Sequence, residues 1–358
     1  MRPERSAGQG LLELVVVLAL TSLLAVAVGG LLVAFSSIAR QASSRTDLAR
    51  GERVVGAELS RALRLAGRGG LPAGLAVEVI NHTDRVGSLG SRRVRPETDV
   101  LILRGLGSGR YEVIGESSSG DLDTLLLATS TSEGEVADLL IGEALVRVDG
   151  LGGCEVGELV ESPRIADETA TVTLRTAGSE RAAGYSSLAG QCGDRRPEAP
   201  NLLGTLEEVW YYVRVGAGPS GEAFSRLARV RVWPGTREIH SESFGRSGDL
   251  VEDVTDLQVA LGLDGNGDGR LEPVGEGRGP DEWWLNEASD AEDRPTGSLL
   301  AVRATVLLSG SQRLPRFQAR VLEGLEDRVY DEAVVPRSIE RSRLRVVGSW
   351  TVGWRSIW

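Results

Sequence analysis

Leu11-Leu12-Glu13-Leu14-Val15-Val16-Val17-Leu18-Ala19-Leu20 opens an apolar segment that continues to Phe35. No charged residue occurs between Leu14 and Phe35, and these 22 positions suffice for a helix to cross a hydrocarbon core of roughly 30 Å. Glu13 is the exception at the start of the segment. Inserting a carboxylate at membrane depth costs about 2.5–3.5 kcal/mol on insertion scales. We therefore expect Glu13 to have a charge partner and a functional role.

The residues around this segment leave three interpretations open. Arg2 and Arg5 precede it, and basic residues on this side favour a cytoplasmic amino terminus. A secretory signal cleaved near Ala25-Val26-Ala27 is one interpretation, although its apolar region would be long and would contain an acid. A plain single-span anchor is the second. The third is a leader that ends at Gly8, five residues before Glu13.

The string Gly8-Gln9-Gly10-Leu11-Leu12-Glu13-Leu14 resembles the processing site of type IV prepilins. The resemblance implies that residues 1–8 are a leader, that prepilin peptidase cuts between Gly8 and Gln9, and that Gln9 is then N-methylated. Gln9 departs from the common pattern, in which phenylalanine stands there. The resemblance also implies that the new amine of Gln9 and the Glu13 carboxylate of a neighbouring subunit neutralise each other. A paired buried charge is tolerated where an isolated one is not.

The helix is predicted to continue beyond the membrane. Apolar residues recur after Phe35 at intervals of seven, four, three and four, which is one stripe on a helix: Leu48, Val55, Leu59, Ala62 and Ala66. Gly67 and Pro72 are typical of a helix end. We therefore predict one helix over residues 9–66, roughly 85 Å long at 1.5 Å per residue. Residues 9–35 would be its transmembrane part and residues 36–67 its amphipathic continuation.

The rest of the chain, residues 68–358, reads as a β-rich domain of short strands between glycine-rich turns. The predicted strands are Leu75–Ile80, Asp99–Leu106, Thr124–Ala128, Leu139–Val148, Thr171–Arg175, Val209–Val215, Leu227–Val232, Leu299–Leu308 and Leu344–Trp350. A short helix is expected over Leu250–Asp256. Residues 117–200 are predicted to be an insertion, with a second subdomain as one interpretation. The fold class is α+β, a long N-terminal helix packed on an antiparallel, pilin-like sheet domain.

Composition excludes several function classes. The net charge is −11 and all 40 basic residues are arginine. A chain without lysine has neither a P-loop lysine nor a Schiff-base lysine. The acidic balance does not suggest nucleic-acid binding, and no nucleophile-elbow string is present. We therefore expect neither an enzyme nor a protein with a specific small-molecule substrate.

Cys154 and Cys192 are the two cysteines. Outside the cytoplasm they can pair and close a loop of about 37 residues, which the loop-entropy model values at roughly 3–4 kcal/mol. Two unrelated thiols are the alternative. A zinc site would need the two scattered histidines, His82 and His240, and is disfavoured.

The sequence Asp264-Gly265-Asn266-Gly267-Asp268-Gly269-Arg270-Leu271-Glu272 has oxygen ligands at alternate positions and a glycine sixth, as in the first half of an EF-hand calcium loop. Asp264, Asn266 and Asp268 would supply side-chain oxygens, Arg270 its carbonyl, and Glu272 a direct or water-mediated contact. The twelfth position is Gly275 where an EF-hand has glutamate. A structural Ca²⁺ and a solvated Asp/Gly turn are both open.

Further segments resemble PilW-type minor pilins of type IV pili: Asp99–Arg104, Val251–Val259 and Leu300–Leu308. The resemblance implies an inner-membrane protein with a periplasmic domain that later reaches the cell surface in the pilus. It would stand at or near the tip and prime assembly with other minor pilins and the major pilin. A minor pseudopilin of a type II secretion system is the nearest alternative. A pilus-borne adhesin or DNA-uptake factor is the alternative from another class.

Overall fold

The structure is a computed structural model. It describes residues 7–80, 87–128, 136–166, 168–176, 186–192, 195–199, 201–217, 221, 223–240, 248–271, 283–284, 297–310, 324–325, 328–329 and 345–354. The architecture is α+β, as predicted: one long N-terminal helix and antiparallel sheets.

The long helix α1 spans Ala7–Leu65, 59 residues, and confirms the prediction of one continuous helix. It has no break at Gly29-Gly30 or at residue 35, so the predicted division between its two parts stays a prediction. Every described side chain from Glu13 to Ser36 is exposed. In the second half four residues of the predicted stripe are buried, with Val55 and Leu59 fully covered, while Ala62 is half-buried. Leu63 belongs to the buried side as well.

The helix ends in a glycine turn that fixes it to the sheet. Gly67 has φ +74°, a backbone conformation that favours glycine, and its N–H donates to the Arg104 carbonyl at 2.8 Å. Two further short helices have both ends within the described residues: α2 (Ala73–Ala76) and α3 (Ser186–Cys192).

The described strands are β1 (Val77–Ile80), β2 (Ser88–Leu89), β3 (Arg92–Val94), β4 (Val100–Ser119), β5 (Leu122–Ala128), β6 (Ala144–Asp149), β7 (Cys154–Leu159), β8 (Arg164–Ala166), β9 (Thr169–Thr176), β10 (Asn201–Ala217), β11 (Ala223–Val232), β12 (Asp249–Glu252), β13 (Val254–Asp264), β14 (Trp283–Trp284), β15 (Ser298–Ser309), β16 (Gly324–Leu325), β17 (Arg328–Val329) and β18 (Arg345–Gly353). They include a strand at each predicted position, mostly longer than predicted.

Three local predictions are wrong. Residues 139–143, predicted as the start of the strand Leu139–Val148, form a turn in which Gly142 has φ +86°, and β6 begins only at Ala144. Leu75 and Ala76, predicted as strand, belong to α2, and only Val77–Ile80 pairs with β4. The helix predicted over Leu250–Asp256 is instead the β12–β13 bend. Its corner is Asp253, with φ 63°, and β12 pairs with β11 while β13 pairs with β15. Hydrogen bonding to two neighbouring strands overrides the local helical preference there.

The large sheet contains a closed ring of strands, because β4 and β10 are long enough to pair with different neighbours at their two ends. Antiparallel ladders run β4–β5, β5–β9, β9–β7, β7–β6, β6–β10 and β10–β4. The ring encloses a buried apolar cluster that includes Tyr111, Leu127 and Val172. The segment 117–200, predicted as an insertion, therefore builds onto the large sheet and has a core of its own.

The second sheet has the order β14-β13-β15-β18. It packs with α1 and with one face of the large sheet in the main core, which includes Leu59, Leu103, Val259 and Val306. Asp99 connects the sheets: its backbone N–H donates to the Leu257 carbonyl at 2.9 Å, and its carboxylate accepts from the Val259 N–H at 2.8 Å. The globular part is thus assembled around the second half of α1.

Candidate functional site

The first half of α1 is the candidate site, because the described residues leave it without cover. Fourteen large apolar side chains are exposed there: Leu14, Val15, Val16, Val17, Leu18, Leu20, Leu23, Leu24, Val26, Val28, Leu31, Leu32, Val33 and Phe35. They are 47–76% exposed, so covering what remains of each gains roughly 1–2 kcal/mol, about 13–25 kcal/mol in all. An 18-residue window of this helix has a mean hydropathy of 2.6, which is apolar enough for a membrane span.

Among the described side chains of this half, Glu13 is a polar group without a local partner. The hydroxyls of Thr21 and Ser22 donate to carbonyls one turn back, Val17 at 2.9 Å and Ala19 at 2.8 Å, so they are satisfied within the helix. Glu13 has neither a hydrogen bond nor an ion pair with any residue that the structure describes, and it is exposed. Any partner of Glu13 therefore comes from outside the described part of the chain.

Gly8 and Gln9 lie in the first turn of α1, which begins at Ala7. Glu13 stands in the same helix, on the second turn. The structure therefore places the three predicted residues together at one helix end. Cleavage after Gly8 and methylation of Gln9 stay predictions.

A polar contact fastens the second half of α1 to the large sheet. Glu58 accepts hydrogen bonds from the Tyr211 hydroxyl at 3.0 Å and from the Arg229 guanidinium. Burial, reinforced by the Glu58 carboxylate, raises the pKa of Tyr211 well above its ordinary value. The phenol is therefore a neutral donor at every physiological pH. Glu58 does not stand out in the sequence, because an acid on a helix flank is typical of solvated surface.

Glycines allow the strand β18 to approach the helix closely. A Cβ on Gly56 would lie 2.3 Å from Nε1 of Trp350, and one on Gly67 would lie 2.7 Å from the Trp354 ring. Both indoles pack against the main core, so they are structural here. The two glycines keep the helix fixed against the domain, while its first half projects away.

Arg104 is the centre of a buried ion-pair network beneath the end of α1. Its guanidinium is 3% exposed and contacts Glu208 at 2.5 Å and Glu78 at 2.6 Å. It also donates to the Leu75 carbonyl at 3.1 Å and to Gln191 at 2.9 Å. Burial by itself would lower the pKa of Arg104. The carboxylates of Glu208 and Glu78 favour the charged guanidinium more strongly, and the pKa lies above its ordinary value. The network ties β1, α2, α3 and β10 together.

Cys154 and Cys192 form the predicted disulfide, with their Cα atoms 5.2 Å apart. The bond joins β7 to α3 and is buried at both ends. Beside it, the Asp149 carboxylate accepts N–H bonds from Leu151 at 2.8 Å, Gly153 at 2.7 Å and Glu198 at 2.8 Å. Burial raises the pKa of Asp149, but these three donors outweigh it, and the pKa lies below its ordinary value.

The aspartate loop is built as a turn around Asp264. Its carboxylate accepts from the N–H groups of Gly267, Asp268 and Gly269 at 2.6, 3.1 and 2.8 Å. Asn266 and Asp268 each accept one further N–H. The described residues hold no group of three acidic, histidine or cysteine side chains that could bind a metal. Glu272 lies outside the described residues, and the calcium site stays a prediction.

No family model matches the chain, and no curated protein matches it. Among solved structures, it is similar to a type IV-like pilin from Thermus thermophilus at 17% identity. That match covers 60% of this chain and 84% of the other, with a TM-score of 0.20. A likeness this weak carries no argument about function, which has to come from the chain's own residues.

Proposed function

We propose that this protein is a minor pilin of a type IV pilus, a structural subunit that primes filament assembly at or near the tip. The observation that carries the proposal is the divided environment of α1. Its second half is built into the domain by Leu59, Glu58 and the Gly56–Trp350 contact. Its first half offers an apolar surface with one acid, and no described residue covers it. The same helix thus suits a membrane before assembly and a bundle of helices afterwards.

In this proposal the leader of residues 1–8 is removed by prepilin peptidase, and the amine of Gln9 pairs with Glu13 of the adjacent subunit. The Glu13 carboxylate of one chain is thereby neutralised by the amine of another chain. The protein sits in the inner membrane with its disulfide-bonded domain in the periplasm, and it is carried to the cell surface with the filament. Its partners are other minor pilins and the major pilin.

Processing is tested by determining the amino terminus of the mature protein from membranes. A start at N-methylated Gln9 is expected, and a start at Val28 would identify a secretory signal instead. Gly8→Val should leave the leader attached. Gly10→Val is the matched control, because no atom lies within 4 Å of a Cβ placed there.

Assembly is tested with Glu13→Gln, which keeps the shape of the side chain and removes its charge. The share of the protein in sheared surface filaments should fall sharply, while its amount in membranes stays unchanged. Asp47→Asn, an exposed acid on the same helix, should assemble normally. Normal assembly of Glu13→Gln would refute the proposal. If disruption of the gene abolishes protein secretion and leaves twitching intact, the pseudopilin alternative is correct.

A further inference from the structure

The outward face of the second half of α1 carries a row of arginines. Their positive charge is opposite in sign to the net charge of the chain. Residues 36–67 contain six arginines and three acidic residues, although the whole chain has net charge −11. Four of these arginines form what we call the basic stripe: Arg50, Arg53, Arg61 and Arg64. All four are exposed.

The stripe follows one side of the helix. At 100° per residue, the four positions fall within an arc of about 80°, centred opposite the buried Val55 and Leu59. Fourteen residues separate Arg50 from Arg64, so the stripe is roughly 21 Å long. The small residues Ala57 and Ser60 lie beside its middle, in a groove of about 750 Å³ that Trp350 also lines.

Contacts among the described residues do not account for these charges. None of the four arginines has an ion pair with a residue that the structure describes, and the nearby Glu58 is engaged by Tyr211 and Arg229. Like charges three and four residues apart on a helix repel each other. The helix dipole favours a cation at Arg64, in the last turn, but the effect does not reach Arg50 and Arg53.

A membrane surface is also the wrong partner. Arg50 lies fifteen residues beyond Phe35, or about 22 Å along the helix, whereas each headgroup layer is roughly 5–8 Å thick. A partner protein is brought alongside α1 when the apolar half is covered by another subunit's helix. Its domain then lies at the height of the stripe.

We propose that the basic stripe docks on a carboxylate-rich face of a different subunit of the same filament. This inference rests on the proposed function and names the chemistry of its lateral contact. Charge complementarity selects the neighbour, and the small residues of the groove allow close approach. Two identical chains would bring their own stripes to the same height, so a second copy is not the expected occupant.

The test combines cross-linking and charge reversal in the full chain, expressed in cells that assemble filaments. A photo-reactive phenylalanine derivative replaces Ala57, which is exposed in the middle of the stripe. Irradiation should give an adduct with another pilin subunit, identified by mass spectrometry at an acid-rich peptide. An adduct of twice the chain's own mass, or an adduct with lipid, overturns the proposal.

Charge reversal uses the double variant Arg53→Glu/Arg61→Glu. Its share in sheared filaments should fall roughly tenfold or more, because like charges would then face each other, and the adduct at Ala57 should disappear. Arg40→Glu/Arg45→Glu is the matched control, exposed on the same helix but off the stripe. Mature protein starting at Gln9 must be present in equal amounts in both variants.

The two proposals fail in different ways. If the unmodified chain never enters filaments, the proposed function fails. If it does enter them, and Arg53→Glu/Arg61→Glu enters as well as the control, the basic stripe is not a docking surface.

Discussion

Replacing Arg104 by methionine should loosen the joint between the long helix and the sheets. Arg104→Met keeps the apolar stem but removes the guanidinium that links Glu208, Glu78 and Gln191. The substitution leaves Glu208, only 1% exposed, as a buried carboxylate without its cation. Its neighbour Glu78 is 32% exposed and can be rehydrated, so its loss matters less.

The expected magnitude follows from this burial. Removing one partner of a buried ion pair destabilises a protein by about 3–5 kcal/mol. Glu208 retains two donors, Nε1 of Trp210 at 2.6 Å and the Gly235 N–H at 3.2 Å, which soften the effect. We therefore expect a loss near the lower end, about 3 kcal/mol in the free energy of unfolding.

The assay is urea unfolding of the full chain in detergent, followed by tryptophan fluorescence. Arg164→Met is the matched control: Arg164 is 77% exposed and pairs with the half-exposed Glu161 at 2.9 Å, so its loss should barely move the midpoint. The double variant Arg104→Met/Glu208→Gln should recover most of the lost stability, because no buried charge remains. Equal effects of Arg104→Met and Arg164→Met, or no recovery in the double variant, would refute the reasoning.

Three further predictions concern the other contacts. Gly56→Ala should lower the unfolding midpoint, because the 2.3 Å clash with Trp350 outweighs a helix-propensity gain of about 1 kcal/mol, whereas Gly29→Ala, with open space around it, should not. Asp149→Asn should destabilise the protein at pH 7, and the gap to the unmodified chain in thermal melts should close as the pH falls below about 3.8. This sign follows because the folded pKa of Asp149 is the lowered one; a gap independent of pH contradicts it. Asp264→Ala should reduce the melting temperature more than Asp268→Ala even in EGTA, since Asp264 accepts three N–H bonds and Asp268 one. Added Ca²⁺ should raise the melting temperature of the unmodified chain and of neither variant, and no rise in any of them would remove the calcium site.

The sequence correctly predicted those parts of the fold in which a single local pattern dominates. The stripe from Leu48 to Ala66 predicted the buried side of α1, and short runs rich in β-branched residues predicted strands such as Val209–Val215. The prediction over Leu250–Asp256 was wrong because two strands on either side of Asp253 satisfy backbone groups that a helix would have satisfied internally. Local preference cannot anticipate such distant partners.

The residues of the candidate site also differ in how far the sequence reveals their roles. Glu13 stands out in the sequence because a carboxylate is conspicuous among leucines and valines. Glu58 and Arg104 do not stand out. Their roles depend on contacts with Tyr211, Arg229 and Glu208, which lie more than 100 positions away in the chain.

The sequence by itself determined that a long apolar helix with one acid leads a β-rich domain, because helix period and hydropathy are properties of neighbouring residues. Tertiary structure alone decided that β4 and β10 close a ring of strands around a separate core, and that the basic stripe of α1 has no ion-pair partner in the described part of the chain. Ring closure and charge pairing depend on which distant segments meet, and this is fixed when the cores pack.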